Sequence, residues 1–170
     1  MIARLLERVP DLDLAVSATT RKPRPDEVDG HDYHFLDPAE FERRAREGAF
    51  LEHATYSGNR YGTLRSEVEW RLDAGKSVVL EIEIQGARQV RETRPDSVQV
   101  FIAPPDPSAL RRRLEARGTD DPEAIDRRLR TALEELEAEG EFKYVVTNDE
   151  VERATSDLER IVRAELGLEA

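Results

Sequence analysis

The chain has 170 residues, 38% of them apolar and 37% charged, which suits one domain with a core and an ionic surface. Its net charge of −11 argues against a protein that coats nucleic acid or an anionic membrane, because both would be repelled. Cysteine is absent, histidine occurs three times, and no signal peptide or apolar run of about 18 residues is present, so we expect a soluble cytoplasmic protein without disulfides or a metal cluster.

Helical and extended patterns alternate along the chain. Apolar runs predict strands, whereas Asp-Pro starts and apolar residues four apart predict helices. In chain order the sequence predicts a helix over 3–8, a strand over 12–16, a loop or small subdomain outside the core over 17–34, a helix over 37–48, a strand over 50–56, a turn over 57–60, a helix through Val68 and Leu72 to Gly75, strands over 78–84 and 98–103, helices that start at Asp106 and Asp121, a strand over 142–146 and a helix to about Leu166. This alternation indicates an α/β fold with a mainly parallel sheet covered by helices.

The run from Val78 to Ile84 is the strongest candidate for a buried strand. Its first half is apolar on both faces, as in a parallel sheet that helices cover. Glu81 and Glu83 then share one face near the carboxyl end of this strand, where open α/β sheets bind their ligands.

Two arginines lie three residues apart on a loop that prolines stiffen. The guanidinium groups of Arg21 and Arg24 could converge on one phosphate, and the hydroxyl of Ser17 offers a neutral donor nearby. A solvated loop with local ion pairs to the neighbouring acids explains the same spacing. The spacing alone leaves both interpretations open.

Other polar side chains also allow two interpretations. Tyr33, Tyr61 and Thr63 could donate hydrogen bonds to a phosphate, or they could be ordinary packed aromatic and turn residues. Glu52, in an otherwise apolar strand, could accept hydrogen bonds from a purine, or it could lie at an exposed sheet edge.

Three further arginines lie on two successive predicted helices. Arg113 and Arg117 precede a Gly-Thr hinge, and Arg128 follows it. Arginine-bearing helices around such a hinge are typical of a lid that closes on transferring phosphates. A surface helix with Arg–Glu pairs explains the spacing equally well.

The order of these segments is more specific than any one of them. The chain carries Ser-x-Thr-Thr-Arg-x-Pro-Arg from Ser17 followed by Glu27, Val-Asp-Gly-x-Asp-Tyr-x-Phe over 28–35, Gly-Asn-x-Tyr-Gly-Thr over 58–63, Gln-Gly-Ala over 85–87, Ile-Ala-Pro-Pro over 102–105, Arg-Gly-Thr over 117–119 and Val-x-Asn-Asp over 146–149. In this order, over residues 4–166, the motifs closely resemble those of the guanylate kinases.

The resemblance implies a fold and an activity. The fold would be a P-loop-kinase-like α/β domain over residues 1–170, with a small GMP-binding subdomain over about 17–76 and a helical lid over about 106–131. The activity would be transfer of the γ-phosphoryl group of ATP to GMP, with Mg²⁺ accompanying ATP, in purine nucleotide metabolism. The implied partners are GMP and ATP, and neither nucleic acid nor a membrane is expected.

The resemblance also implies roles for individual residues. The residues that would read the base are Ser17, Glu52 and Glu83. Those that would bind the phosphate are Arg21, Arg24, Tyr33 and Tyr61, with Glu27 beside them and Thr63 at a further GMP contact. The transition state would be stabilised by Arg113, Arg117 and Arg128, and Asn148 would lie on the adenosine side of the site. The family usually has Asp at the position of Glu83, and the extra methylene could shift the base or the metal.

A larger departure concerns the ATP side. The family opens with a strand and the loop Gly-x-x-x-x-Gly-Lys-Ser/Thr, and the 170 residues contain no such motif. Without this loop we expect residues 1–170 alone to show no ATP-dependent GMP phosphorylation. A late or truncated start of a guanylate kinase is the favoured explanation, since the downstream residues match. The alternatives are a catalytically inactive GMP-binding or protein-interaction module and an arginine-rich nucleic-acid binder, which the net charge disfavours.

Overall fold

The computed structural model describes residues 1–106 and 136–168. The chain divides into two compact units. The sheet unit comprises Pro10–Ser97, and the terminal unit comprises Met1–Val9 and Val98–Ala170. Most of the expected lid, including Arg113, Arg117 and Arg128, lies outside the described residues.

Helices and strands alternate through most of the described ranges. In chain order the elements are α1 (Ile2–Arg8), β1 (Leu12–Leu14), β2 (Ser17–Thr19), β3 (His34–Phe35), α2 (Pro38–Arg46), β4 (Phe50–Tyr56), β5 (Asn59–Leu64), α3 (Arg65–Asp73), β6 (Ser77–Val79), α4 (Ile84–Thr93), β7 (Val100–Ala103), a 3₁₀ turn (Glu139–Glu141), β8 (Tyr144–Thr147) and α5 (Val151–Glu165). These are the elements of an α/β protein, as the sequence predicts. None of the helices within the described ranges is long and apolar enough to cross a membrane.

The sheet unit holds a four-stranded sheet in the order β3-β2-β5-β4. β2 pairs in parallel with β3 and antiparallel with β5, and β5 pairs antiparallel with β4. The expectation that residues 17–34 lie outside the core is therefore wrong for β2, which has a neighbouring strand on each side. Ala18 and Thr19 are fully buried there. The Thr19 hydroxyl is satisfied inside the sheet because it donates to the carbonyl of Arg60 at 3.0 Å.

Helix α2 covers one face of this sheet. Its start follows the local signal, since the Asp37 carboxylate accepts a 2.8 Å hydrogen bond from the backbone N–H of Glu40 and Pro38 occupies the first turn. Phe41 on this helix is fully buried and stacks on Phe50 with ring centroids 4.4 Å apart. This packing leaves the opposite face of the sheet for the residues described below.

The β4–β5 hairpin turns at Ser57 and Gly58. Both residues have positive φ angles, 49° and 80°, which is the conformation that matches the twist of a two-residue hairpin. The turn is shorter than the expected 57–60, because Asn59 already pairs with Tyr56 as the first residue of β5.

A parallel pair, β1 with β6, forms a second, two-stranded sheet in the sheet unit. The expected strand over 78–84 is wrong beyond Val79, since β6 ends there and α4 begins at Ile84. The last hydrogen bond of this pair joins the N–H of Ala15 to the carbonyl of Val79, and β1 extends no further. Glu81 and Glu83 therefore follow the strand rather than belong to it.

The terminal unit contains the parallel pair β7–β8, with Val100 opposite Tyr144. Helices α1 and α5 are joined by hydrogen bonds from the Arg8 guanidinium to Glu152 and Glu159, and from Arg163 to the Arg8 carbonyl at 2.9 Å. The expected helices at the start and end of the chain are confirmed within one or two residues.

Candidate functional site

Three polar side chains form one row across the four-stranded sheet. Ser17 on β2 lies opposite Thr63 on β5, and Thr63 lies opposite Glu52 on β4. Directly opposite residues of antiparallel strands point to the same face of the sheet. The sheet therefore brings together three side chains from three different strands, up to 46 residues apart in sequence. The resemblance implies base reading for Ser17 and Glu52 and a further GMP contact for Thr63.

Glu52 is buried, with 3% of its surface exposed. It lies on the edge strand of the sheet, but the expected alternative of an exposed edge carboxylate is wrong. Its Oε1 accepts a 2.7 Å hydrogen bond from the Thr63 hydroxyl. Burial raises the pKa of Glu52, while hydrogen bonds from the Thr63 hydroxyl and backbone N–H oppose part of that rise.

Helix α4 covers the edge of β4 at this point. The Gln89 amide donates to the carbonyl of His53 at 2.8 Å and accepts from the N–H of His53 at 3.2 Å. These two bonds satisfy the outward-facing backbone groups of an edge strand. One turn earlier on α4, Gly86 lies against Glu52, since a Cβ on Gly86 would be 2.3 Å from Glu52 Oε2.

The loop arginines are organised by one acid. Arg21 donates to Glu27 Oε1 at 2.7 Å, and the backbone N–H of Arg24 donates to Glu27 Oε2 at 2.7 Å. The Arg21 guanidinium also lies 5.4 Å from the ring centre of Tyr33. Of the neighbouring acids that the sequence offers as partners, the structure selects Glu27.

Tyr33 connects this loop to the sheet. Its ring meets the Tyr61 ring edge-on with centroids 6.2 Å apart. Tyr61 lies two residues before Thr63 on β5 and so points to the same face of the sheet. Burial, together with the nearby Tyr61, raises the pKa of Tyr33, which keeps its phenol protonated as a hydrogen-bond donor.

One continuous set of side chains results. We call it the polar strip, and it consists of Glu52, Ser17, Thr63, Tyr61, Tyr33, Arg21, Arg24 and Glu27. A buried carboxylate lies at one end and two guanidinium groups lie at the other. Such a strip can accept hydrogen bonds at the first end and hold an anion at the second.

Three further residues shape the strip through hydrogen bonds to the backbone of its loop. Thr19 accepts from the N–H of Arg21 at 3.1 Å, Asp29 accepts from the N–H of Phe35 at 2.8 Å, and Asp32 accepts from the N–H of Val28 at 2.8 Å. Each carboxylate or hydroxyl closes a local turn, and Asn, Asp, Ser and Thr commonly do so. The Val-Asp-Gly-x-Asp-Tyr motif was the available signal for the two aspartates.

Two further residues expected at the site, Glu83 and Asn148, lie on other elements of the chain. Glu83 is the N-cap residue of α4, and its side chain makes no capping hydrogen bond. Asn148 belongs to the terminal unit, where its N–H donates to the carbonyl of Ala103 at 2.7 Å. The three lid arginines lie outside the described residues.

Comparison with known proteins gives the family. The model of the family described as Guanylate kinase matches residues 1–165. The chain belongs to the guanylate kinase family. It is 53% identical over 163 residues to the guanylate kinase of Rubrobacter xylanophilus. The matched region covers 96% of this chain and 85% of that protein. It is 48% identical to the guanylate kinase of Alkalilimnicola ehrlichii, over 96% of this chain and 81% of that protein.

The fold agrees with this family. The crystal structure of guanylate kinase from Anaplasma phagocytophilum matches with a TM-score of 0.81 and 35% identity, over 96% of this chain and 79% of that one. The resemblance and the α/β fold expected from the sequence are therefore confirmed. The function is that of a guanylate kinase, a nucleoside-monophosphate kinase and phosphotransferase.

Proposed function

We propose that the polar strip is the GMP-binding site of this guanylate kinase. The observation that supports it most is the placement of the buried Glu52 carboxylate and the Arg21 guanidinium at opposite ends of one strip. In this proposal Ser17, Glu52 and Glu83 read the base; Arg21, Arg24, Tyr33 and Tyr61 hold the phosphate; Glu27 orients the arginines; and Thr63 makes a further GMP contact.

The chemistry of guanine suits the carboxylate end. Guanine presents two adjacent kinds of N–H donor, the ring N1–H and the 2-amino group, whereas adenine has an acceptor at N1. An ionised carboxylate accepts hydrogen bonds and cannot donate them. Glu52 would therefore pair with guanine and leave adenine facing an unpaired buried acceptor, which is an effective way to reject the wrong base.

The phosphate end is arranged for a dianion. Arg21 and Arg24 supply planar groups with several N–H donors, and Tyr33 supplies a protonated phenol. Glu27 neutralises part of this charge and fixes the direction of Arg21. Binding of a phosphate would add partners to the arginines without a large rearrangement of the loop.

The remaining assignments follow from the family. We propose that Arg113, Arg117 and Arg128 stabilise the transferring phosphoryl group and that Asn148 lies on the ATP side. ATP would bring Mg²⁺ with it, and the described residues form no cluster of three or more His, Cys, Asp or Glu that could hold the ion. We propose a single guanylate-kinase-like domain over 1–170, with the GMP-binding subdomain over about 17–76 and the lid over about 106–131. Together with the phosphate loop of the family, this domain would convert GMP to GDP in the cytoplasm as a step of purine nucleotide metabolism.

Calorimetric titration with GMP tests the proposal. We expect GMP to bind, AMP to bind far more weakly, and Glu52→Gln to weaken GMP binding by about tenfold or more, the scale of a lost charged hydrogen bond. Glu69→Gln, on the exposed face of α3, is the matched control and should bind GMP normally. Equal GMP affinity in Glu52→Gln and in the unaltered chain would contradict the assignment of the base site.

The expected lack of turnover by residues 1–170 alone stays a prediction. It is tested with the purified chain, ATP, Mg²⁺ and GMP, by following ADP formation. Turnover well above that of a mock purification would show that the phosphate loop is not needed as we expect.

A further inference from the structure

The two oxygens of Glu52 have different surroundings. Oε1 accepts from the Thr63 hydroxyl at 2.7 Å, so that half of the carboxylate is fixed by the sheet. Oε2 lies against the backbone of Gly86, where a Cβ would come within 2.3 Å of it and within 3.0 Å of the carboxyl carbon. Real Cβ atoms do not approach this closely, so Glu52 can hold this position only because residue 86 has no side chain.

Helix α4 is held at this distance from the sheet. The Gln89 amide makes two hydrogen bonds to the backbone of His53, the residue after Glu52. Gly86 and Gln89 are three residues apart, so both point from one side of α4 toward β4. The helix therefore cannot withdraw to admit a side chain at position 86 without losing those bonds.

Another glycine of the sheet unit shows a different kind of close contact. A Cβ on Gly62 would lie 2.8 Å from the Glu52 carbonyl oxygen, 2.8 Å from the His53 Cβ and 2.9 Å from the Phe50 ring. These neighbours are backbone and core atoms that cannot move alone, so a side chain at 62 would disturb the fold. At Gly86 the neighbour is the end of a flexible side chain, so the carboxylate would move and the fold would stay.

We propose that Gly86 is a positioning residue for base recognition: it sets where the Glu52 carboxylate lies and thereby selects a purine monophosphate with two N–H donors on its base edge. This inference rests on the proposed GMP site. Gly86 acts through Glu52 and has no role at the phosphate end of the strip.

The test compares Gly86→Ala with Gly140→Ala, since a Cβ on Gly140 would meet nothing within 4 Å. We expect Gly86→Ala to weaken GMP binding by about tenfold or more, as for a lost charged hydrogen bond. It should also reduce the preference for GMP over IMP, which lacks the 2-amino group, because the displaced carboxylate no longer meets both donors. Gly140→Ala should bind both nucleotides like the unaltered chain. Normal GMP affinity and a normal GMP-to-IMP ratio in Gly86→Ala would overturn the inference.

A double variant separates this inference from the proposed GMP site. If Gly86 acts only through Glu52, adding Gly86→Ala to Glu52→Gln should cause no further loss of GMP affinity. A normal affinity in Glu52→Gln alone contradicts the proposed site itself. A weakened Glu52→Gln, combined with a further equal loss in the double variant, overturns only the role of Gly86.

A rescue experiment covers the case in which Gly86→Ala does not fold. Glu52→Asp shortens the side chain by one methylene and leaves room for the new methyl group, so the double variant G86A/E52D should melt cooperatively and recover part of the GMP binding. A double variant that also fails to fold would overturn the inference, because the methyl group would then meet something other than the carboxylate.

Discussion

Arg21 and Glu27 form an ion pair at 2.7 Å in which only 18% and 13% of the two side chains are exposed. The pair is therefore more than a surface contact, and Glu27 also accepts the N–H of Arg24. The Arg21 hydrogen bond, followed by that backbone bond, lowers the pKa of Glu27 to about 2. The loop that would receive a phosphate is thus held in place by a carboxylate that stays ionised at neutral pH.

Removing either guanidinium should weaken GMP binding. We expect Arg21→Ala and Arg24→Ala each to cost about 1.5–3 kcal/mol of binding free energy, the scale of a charged hydrogen bond. Calorimetry at fixed ionic strength measures this loss. Arg46→Ala is the control, since Arg46 lies exposed on α2 with its nearest acid at 3.9 Å. If Arg21→Ala and Arg46→Ala bind GMP alike, the phosphate does not lie at Arg21.

The same pair predicts a pH dependence of stability. The folded-state pKa of Glu27 is about 2, below its ordinary value of 4.5, so the carboxylate stabilises the fold above about pH 4.5 and that stabilisation is lost as the pH falls toward 2. Urea unfolding at several pH values should show this decrease, and Glu27→Gln should show a smaller one. Glu40, whose pKa is also about 2, remains in that variant and accounts for part of the residual slope. An unchanged slope in Glu27→Gln would contradict the prediction.

For Glu52 we expect the opposite pH dependence of stability. Because burial raises its pKa, the folded protein favours the protonated form, and stability falls as the pH rises through the ordinary value of 4.5 toward the raised one. Glu52→Gln removes this cost, so its melting midpoint at neutral pH should rise by about 2–4 °C, which corresponds to roughly 1 kcal/mol. Scanning calorimetry at pH 7 and pH 4 measures it, with a smaller gain at pH 4. A lower midpoint at pH 7 would show that the ionised carboxylate stabilises the free protein.

Elements with local signals were predictable from the sequence, whereas those that depend on distant partners were not. Helix α2 begins at the Asp37 cap because the cap and the proline act on their own first turn. Strand β5 was missed because Tyr61-Gly62-Thr63 has no apolar alternation; it is a strand because β2 and β4 lie on both sides of it.

The candidate site likewise contains features with local sequence signals and features that depend on distant partners. The spacing of Arg21 and Arg24 indicated an anion site, but nothing in the local sequence distinguishes Glu27 from Asp26 or Asp29 as their partner. The contacts of Gly86 with Glu52 and of Gln89 with His53 join residues more than 30 positions apart. Such pairs depend on how α4 packs on β4, and no single-sequence pattern reports that packing.

A partly buried polar cluster around Glu67 predicts a measurable effect on stability. Glu67 accepts a 2.6 Å hydrogen bond from Arg71, which is 8% exposed, and a 3.2 Å bond from the N–H of Val16; it also lies 3.0 Å from the His34 ring. Burial would raise the pKa of Glu67, but the bonds from Arg71, His34 and Val16 outweigh it and lower the pKa.

Glu67→Ala should therefore cost about 1.5–3 kcal/mol of unfolding free energy, the scale of a charged hydrogen bond, because it leaves the buried Arg71 guanidinium with Asp13, at 3.6 Å, as its acidic partner. Glu69→Ala, exposed on the same helix, should cost less than about 0.5 kcal/mol. Denaturant unfolding of both variants measures the difference. Similar losses in the two would mean that Arg71 finds other partners and that Glu67 does not anchor the start of β2.

Glu83→Asp replaces a glutamate with the residue that the family usually has. Glu83 caps α4 with an extended backbone, but its side chain makes no capping hydrogen bond, whereas the shorter Asp can reach the N–H groups of the first turn. We expect about 0.5–1 kcal/mol of added stability and no loss of GMP affinity. Glu150→Asp is the matched control, since Glu150 caps α5 equally without a side-chain bond. Weaker GMP binding in Glu83→Asp, but not in Glu150→Asp, would show that the site requires the longer carboxylate.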